Sequence, residues 1–156
     1  MRILIIILLS SLLSCNNKEV KDITVKPDCN KKDIDTNRFN CYDGNQYEMN
    51  MCAYNEYKYN DSLLNIKYNK LINKLNSDIE KNLISKDSIE YKFFNDYKKK
   101  LIKSQRNWIK YRDTNAEIKG KLYDGGTMES LIFNNQLTLD TKNRVLFLNG
   151  LIDEFN

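Results

Sequence analysis

The stretch QRNWIKYRD, residues 105–113, decides how this chain folds, because it places a permanent charge among apolar side chains. At ~100° per residue, a helix puts Gln105, Trp108 and Arg112 on one face. The members of that face in the preceding turns are apolar: Phe94, Tyr97 and Leu101. The other basic residues of the segment fall on the opposite face: Lys92, Lys99, Lys103, Arg106 and Lys110. A charge on an inner face needs a partner, because an unpaired buried charge costs several kcal/mol.

The best partner for this arginine is Asp61, on the flank of the apolar stripe of an earlier helix. If the two helices run antiparallel and are joined through residues 78–87, Asp61 faces residues 104–108. One or two turns of offset then bring it to Arg112. We therefore predict a structural polar cluster that fixes the register of the helices, made of Asp61, Asn65, Gln105, Trp108 and Arg112. The alternative is that Arg112, beside Trp108, binds a ligand.

Apolar periodicity predicts an all-α fold, a compact helical bundle built on two long antiparallel helices plus two shorter C-terminal helices. The long helices cover about residues 47–77 and 88–119, and DSIE at 87–90 is typical of a capping box. The glycine-containing stretch 120–127 breaks the chain, with Thr127 as the expected cap of the next helix. A second break is expected at 139–141, with Asp140 or Thr141 as the cap.

The first residues, MRILIIILLSSLLSC, predict a lipoprotein signal peptide over 1–14. The apolar run is too short to span a bilayer as a stable helix. Leu12-Leu13-Ser14-Cys15 looks like a bacterial lipobox, in which Cys15 carries the lipid. Residues 15–40 then form a flexible tether, and residues 41–156 form the helical domain.

Three cysteines remain after Cys15, and export to an oxidising compartment predicts a disulfide between two of them. Cys41 lies in a turn-rich stretch just before Cys52, so we favour the pair Cys41–Cys52. Cys29 is either the unpaired thiol or the alternative partner.

Composition excludes several function classes. The chain has 156 residues, a formal net charge of +4 and no histidine, so it lacks the commonest general base and metal ligand. The three thiols that follow Cys15 match no zinc pattern, and no glycine-rich phosphate loop or serine–base pair is present. We expect no cofactor, no metal, no nucleic acid and no enzymatic activity.

Five short motifs follow one another in order: EMNMCA (48–53), DSLLN (61–65), LIKSQRNWIKYRD (101–113), GGT (125–127) and TKNRVLFL (141–148). Together they resemble the LprI-type lysozyme-inhibitor lipoprotein family of small helical bacterial envelope proteins, over about residues 41–150. The resemblance implies a lipid-anchored or secreted protein that binds lysozyme. Relatives often carry a second cysteine pair at the positions of Ala116 and Gln136, and both cysteines are absent here.

Two functions follow as hypotheses. The first is a lysozyme-binding or lysozyme-inhibiting envelope lipoprotein that occludes the enzyme's cleft. It faces the periplasm or the cell surface and is held at the membrane by lipid on Cys15. An acidic patch would meet the cationic enzyme, with four candidate residues: Asp113, Glu117, Asp124 and Glu129. The second is an envelope structural or adaptor lipoprotein that binds another protein and does not inhibit lysozyme.

Overall fold

The computed structural model describes residues 39–155, and this part of the chain is all-helical. Three helices follow in order: α1, Gln46–Ile84; α2, Ser88–Lys121; and α3, Glu129–Glu154. Short connections at 85–87 and 122–128 make consecutive helices antiparallel, as in an up-down-up bundle. The prediction of an all-α fold is confirmed. The signal peptide, Cys15, Cys29 and the tether up to residue 38 lie outside the described residues.

The main core lies between the middle and the last turns of the three helices. It is built from buried aliphatic side chains: Leu64, Leu71 and Leu75 of α1, Leu101 of α2, and Val145, Leu148 and Ile152 of α3. Partly buried aromatic rings close the core at its edge, with Tyr97 packed edge-on to Phe155 at 4.9 Å between ring centroids. This core fixes the relative position of the helices and therefore of the polar side chains between them.

A second, smaller cluster forms at the other end, where Cys41, Ala53 and Leu131 are buried together. Phe39 packs against this cluster and lies 6.1 Å from the ring of Tyr59. Residues 39 and 40, which we assigned to the tether, are thus described together with the domain. We call this region the cystine end: the segment 39–45, the first turns of α1, the connection 122–128 and the first turn of α3.

The start of α1 has a capping box. The Asn45 side chain accepts from the Glu48 backbone N–H at 3.1 Å, and Glu48 accepts from the Asn45 N–H at 2.9 Å. Gly44 precedes the cap with a φ of 105°, and a Cβ at this position would lie 2.5 Å from Glu48 Oε2. Only glycine fits both the backbone angle and the space.

The capping box predicted at 87–90 is present only in half. Asp87 caps α2 by accepting from the backbone N–H groups of Ile89 and Glu90. The reciprocal bond is absent because the Asp87 N–H donates to the Asn82 carbonyl at 3.0 Å instead. The extra two turns of α1, which we expected to end near residue 77, supply that carbonyl.

The prediction of two short C-terminal helices is wrong, because α3 runs unbroken through residues 139–141. Asp140 does not cap a helix; its carboxylate accepts from the side chains of Asn115 at 3.2 Å and Gln136 at 3.0 Å. Thr141 is fully buried in mid-helix. Thr127 is not the cap either: Met128 holds that position without a side-chain hydrogen bond.

Candidate functional site

Arg112 lies on the inner face of α2, and its guanidinium forms ion pairs with two carboxylates. Nη1 lies 2.9 Å from Asp61 Oδ1 of α1, and Nη2 lies 2.8 Å from Asp113 Oδ1. Nε also donates to Asp113, at 2.9 Å. The Arg112 side chain is 9% exposed, so these bonds form largely out of water. Arg112 therefore links α1 to α2 through Asp61.

The length of α1 explains why Asp61 reaches Arg112 rather than residues 104–108. Because α1 continues to Ile84 and α2 begins at Ser88, the centre of the connection is residue 86. Positions equally far from that centre face each other in an antiparallel pair. Residue 61 lies 25 positions before it and residue 112 lies 26 after it.

Asp113 is the second carboxylate that holds the Arg112 guanidinium. Its backbone lies beside Arg112, but its carboxylate folds back onto Nε and Nη2 while remaining about half exposed. Asn65 has a smaller role than expected, because it is exposed and its amide donates to Asp61 Oδ2 at 3.3 Å. Asn65 thus orients the carboxylate and does not contact Arg112 through a hydrogen bond.

Gln105 does not complete the Arg112 network. Its Oε1 accepts from Nε of a second buried arginine, Arg144 of α3, at 3.0 Å. Ser104 Oγ accepts from Arg144 Nη2, also at 3.0 Å. Trp108 contacts both arginines, with its ring 5.2 Å from the Arg112 guanidinium carbon and 5.6 Å from that of Arg144. The link between Arg144 and Gln105 was not predicted, because the two residues are 39 positions apart.

The surroundings of the two arginines act on their pKa values in opposite directions. Burial alone would lower the pKa of Arg112, but the Asp113 hydrogen bond and the nearby Tyr57, Asp113 and Asp61 outweigh it, and the pKa is raised. Burial lowers the pKa of Arg144, and only Tyr68 opposes that effect. Both side chains stay charged at neutral pH, but only Arg112 has a counter-charge.

At the cystine end, the structure joins Cys41 to Cys52, with 5.3 Å between their Cα atoms. The bridge pins the segment before α1 onto the second turn of that helix. One turn further, Glu56 pairs with Lys142 of α3 at 2.7 Å, and both side chains are largely buried. This ion pair ties α3 to α1 beside the cystine. It was missed because Glu56 and Lys142 are 86 positions apart, with no local pattern to connect them.

The four acidic residues predicted to form a patch differ in their contacts. Asp113 is engaged by Arg112, Asp124 is paired with Lys121, and Glu129 accepts from the Gly125 N–H at 3.0 Å. Glu117 is exposed and makes no hydrogen bond or ion pair within residues 39–155. All four lie in the last turns of α2, the connection or the first turn of α3.

Where the resemblance implied a second cystine, this chain has hydrogen bonds. Ala116 is fully buried, while its neighbour Asn115 donates to Asp140 of α3. Gln136 donates to the same carboxylate oxygen from one turn earlier in α3. Asp140 therefore joins α2 to α3 in the region that a second bridge would occupy.

The described helices include none that is both long and apolar enough to cross a membrane.

Comparison with known proteins gives three findings. The sequence profile of a family described as "Lysozyme inhibitor LprI" matches residues 40–148, and so contains both arginines, the cystine and all four acidic residues. An uncharacterized protein of Rhizobium meliloti (strain 1021) is 28% identical over 143 residues, which cover 92% of this chain and 91% of that protein. No solved structure matches. With the family profile spanning most of the chain and nearly all of its described helices, the chain belongs to the LprI lysozyme inhibitor family.

Proposed function

We propose that this protein is an envelope lipoprotein that binds lysozyme and inhibits it by covering the substrate cleft with the cystine end. Membership of the LprI lysozyme inhibitor family carries the proposal. Lipid on Cys15 would hold the protein at the membrane, on the periplasmic side or at the cell surface. The described chain enters the domain at residue 39, so such an anchor would be connected to the cystine end.

The cystine end presents apolar side chains that are not buried in the core of the bundle. Leu122 is 73% exposed and Tyr47 is 72% exposed, and smaller apolar areas are offered by further residues: Met51, Tyr54, Tyr123 and Met128. Exposed apolar side chains of this kind, with aromatic rings and methionines among them, are typical of protein interaction surfaces. The Asn50 side chain donates to the Thr127 carbonyl at 3.2 Å, so the first turn of α1 and the connection form one surface.

The charge distribution also supports the cystine end as the surface that meets lysozyme. Residues 39–56 hold three acidic and no basic side chains, and residues 111–130 hold four acidic and three basic ones. Together the two segments carry seven acidic side chains against three basic ones. Residues 57–110 hold thirteen basic and six acidic side chains, so the basic excess of the chain lies elsewhere. An acidic end on a net basic molecule can meet a cationic lysozyme, although long-range steering stays weak.

The connection 122–128 is the best candidate for the part that enters the cleft. It projects between α2 and α3, and the backbone bends at Gly125, whose φ is 71°. Bonds from Lys121 to Asp124 and from the Gly125 N–H to Glu129 hold its shape. A pre-shaped loop loses less conformational entropy on binding than a free one does.

The test is a lysozyme inhibition assay with the chain from residue 15 onward carrying Cys15→Ser, together with direct binding by calorimetry. The double variant Leu122→Ala, Tyr123→Ala should weaken inhibition at least tenfold, which corresponds to about 1.4 kcal/mol. Leu83→Ala, Ile84→Ala is the control, because these two apolar side chains are also exposed, at the opposite end of the bundle.

Three results are distinguishable. Loss of inhibition in the loop variant alone supports the proposed surface. Equal inhibition by both double variants would place the lysozyme contact elsewhere. No binding of any of several lysozymes by the wild type would refute the proposed function.

The second candidate is an adaptor lipoprotein that binds another envelope protein. It is favoured by exposed apolar residues at the α1–α2 connection, far from the cystine end: Leu83, Ile84, Ile89 and Phe93. A pull-down from envelope extract would support it if a partner other than lysozyme is captured by the wild type and lost with Leu83→Ala, Ile84→Ala.

A further inference from the structure

Arg144 is a buried arginine whose hydrogen-bond partners are all neutral. It is 8% exposed, and within residues 39–155 its acceptors are Gln105 Oε1 and Ser104 Oγ, each at 3.0 Å. Arg112, which also contacts Trp108, has two carboxylates. Because a buried charge without a counter-charge is costly, Arg144 differs from an arginine that only clamps helices together.

The Arg144 guanidinium makes cation–π contacts with two aromatic rings. Its central carbon lies 5.6 Å from the Trp108 ring and 4.8 Å from the Phe147 ring. Cation–π contacts of this kind stabilise the guanidinium and leave its N–H groups for hydrogen bonding. Phe147 is itself half exposed, so its contact with Arg144 lies at the surface of the groove between α2 and α3.

The edge of the guanidinium has unused donors. Of the five N–H donors of an arginine, two are bonded to Gln105 and Ser104, which leaves three. Nη1 makes no hydrogen bond to any described residue. It is accessible to solvent, because it is not one of the fully buried side-chain atoms that lack a partner. Ser104, whose Oγ accepts from Arg144, keeps its own O–H as a further donor and belongs to an exposed residue.

No acidic group within the described residues neutralises this edge. Asp140, one turn before Arg144 in α3, is engaged by Asn115 and Gln136 and forms no ion pair with Arg144. The other charge nearby is positive, since Arg106 and Arg144 both act on the Tyr68 hydroxyl, whose pKa is raised by burial against their influence. The field at the open edge of Arg144 therefore favours an anion.

We propose that Arg144 and Ser104 form a binding site for a single carboxylate group in the groove between α2 and α3. A carboxylate can take two parallel bonds from the guanidinium edge and one from the Ser104 hydroxyl. Its single negative charge matches the single uncompensated positive charge, and Phe147 offers apolar contact to the carbon that bears it. The site is remote from the connection 122–128 and does not depend on lysozyme binding.

The fluorescence of Trp108 gives a direct test, because Trp108 is the only tryptophan in the chain and contacts the site. The chain from residue 15 onward carrying Cys15→Ser is titrated with sodium acetate, with sodium chloride replaced so that ionic strength stays constant. We expect a saturable fluorescence change. Arg144→Gln should abolish the change, and Ser104→Ala should weaken binding about fivefold, as expected for loss of one hydrogen bond.

Lys110→Gln is the matched control, since it removes an exposed positive charge from the same helix and should leave acetate binding within about twofold. A parallel titration with inorganic phosphate checks the class of ligand. The proposal is overturned if acetate and chloride give the same signal, if Lys110→Gln abolishes the change as Arg144→Gln does, or if phosphate binds more tightly than acetate. Ser104→Ala keeps the test decisive if Arg144→Gln does not fold, because Ser104 is exposed.

Discussion

Removal of Arg112 should destabilise the fold far more than removal of Asp61. In Arg112→Ala, two carboxylates lose their only strong donor, and Trp108 and Tyr57 each lose a guanidinium packed about 5 Å from the ring. Breaking a buried ion pair costs about 3–5 kcal/mol, but Asp61 is 29% exposed and can partly rehydrate. We expect about 3 kcal/mol, which is a large part of the ~5–15 kcal/mol that stabilises a typical domain.

Asp61→Ala removes only one of the two carboxylates that hold the guanidinium. Asp113 still accepts from Nε and Nη2, so the charge is not stranded. We expect a cost of about 1.5 kcal/mol, as for loss of one charge-assisted hydrogen bond. The double variant should cost at least ~1 kcal/mol less than the sum of the single variants, because the residues are in direct contact. Arg112→Lys should also destabilise, since an ammonium cannot reproduce the planar fork.

The measurement is urea denaturation followed by far-UV circular dichroism, which does not depend on Trp108. Thermal unfolding should give a decrease of about 12 °C for Arg112→Ala, at ~4 °C per kcal/mol for a domain of this size. The reasoning is refuted if Arg112→Ala and Asp61→Ala cost the same, or if the two effects are additive. Unchanged stability with loss of partner binding would show that Arg112 is a binding residue.

Three further predictions concern the cysteines. Cys15→Ser should release the protein from the membrane fraction, and an unchanged fractionation and mature mass would show that no lipid is attached there. Peptide mapping without reduction should recover Cys41 joined to Cys52, and Cys52→Ser should cost about 3 kcal/mol on denaturation for a loop of this length. The double variant Ala116→Cys, Gln136→Cys should form a second bridge and raise stability by about 3 kcal/mol under oxidising conditions only, unless the lost Gln136–Asp140 bond offsets the gain.

The spacing of apolar residues along the chain predicted the helices and the residues that face the core. The pattern of Gln105, Trp108 and Arg112 placed all three on one face, and the structure puts all three against neighbouring helices. The period alone could not predict which helix each one meets. Gln105 bonds to α3 and Arg112 to α1, because two partner helices flank the same face of α2.

The helix break wrongly predicted at 139–141 rested on residue types that can either cap a helix or form side-chain hydrogen bonds within one. Asp140 and Thr141 are good helix caps by residue type, and they were read as a break. In the structure Asp140 instead accepts one side-chain bond from Asn115 across the α2–α3 contact and one from Gln136 within α3, so its carboxylate does not compete for the backbone as that of a cap does. Such an outcome depends on Asn115, 25 positions away, and a local pattern contains no information about it.

The two arginines that contact Trp108 differ in a way that separates stability from recognition. A charge used only to fix helix register is best supplied with its own carboxylates, as Arg112 is, because folding then completes the pair. Arg144 is equally buried but is offered only amide and hydroxyl oxygens, which stabilise a guanidinium without neutralising it. The desolvation of this unpaired charge destabilises the folded state, and binding of an anion offsets that free energy. If Arg144 had only a structural role, Arg144→Met should lower the free energy of unfolding, since its bonds to Gln105 and Ser104 would be lost. If Arg144 serves a ligand, the same variant should keep or gain stability and lose acetate binding, and the two measurements together distinguish the roles.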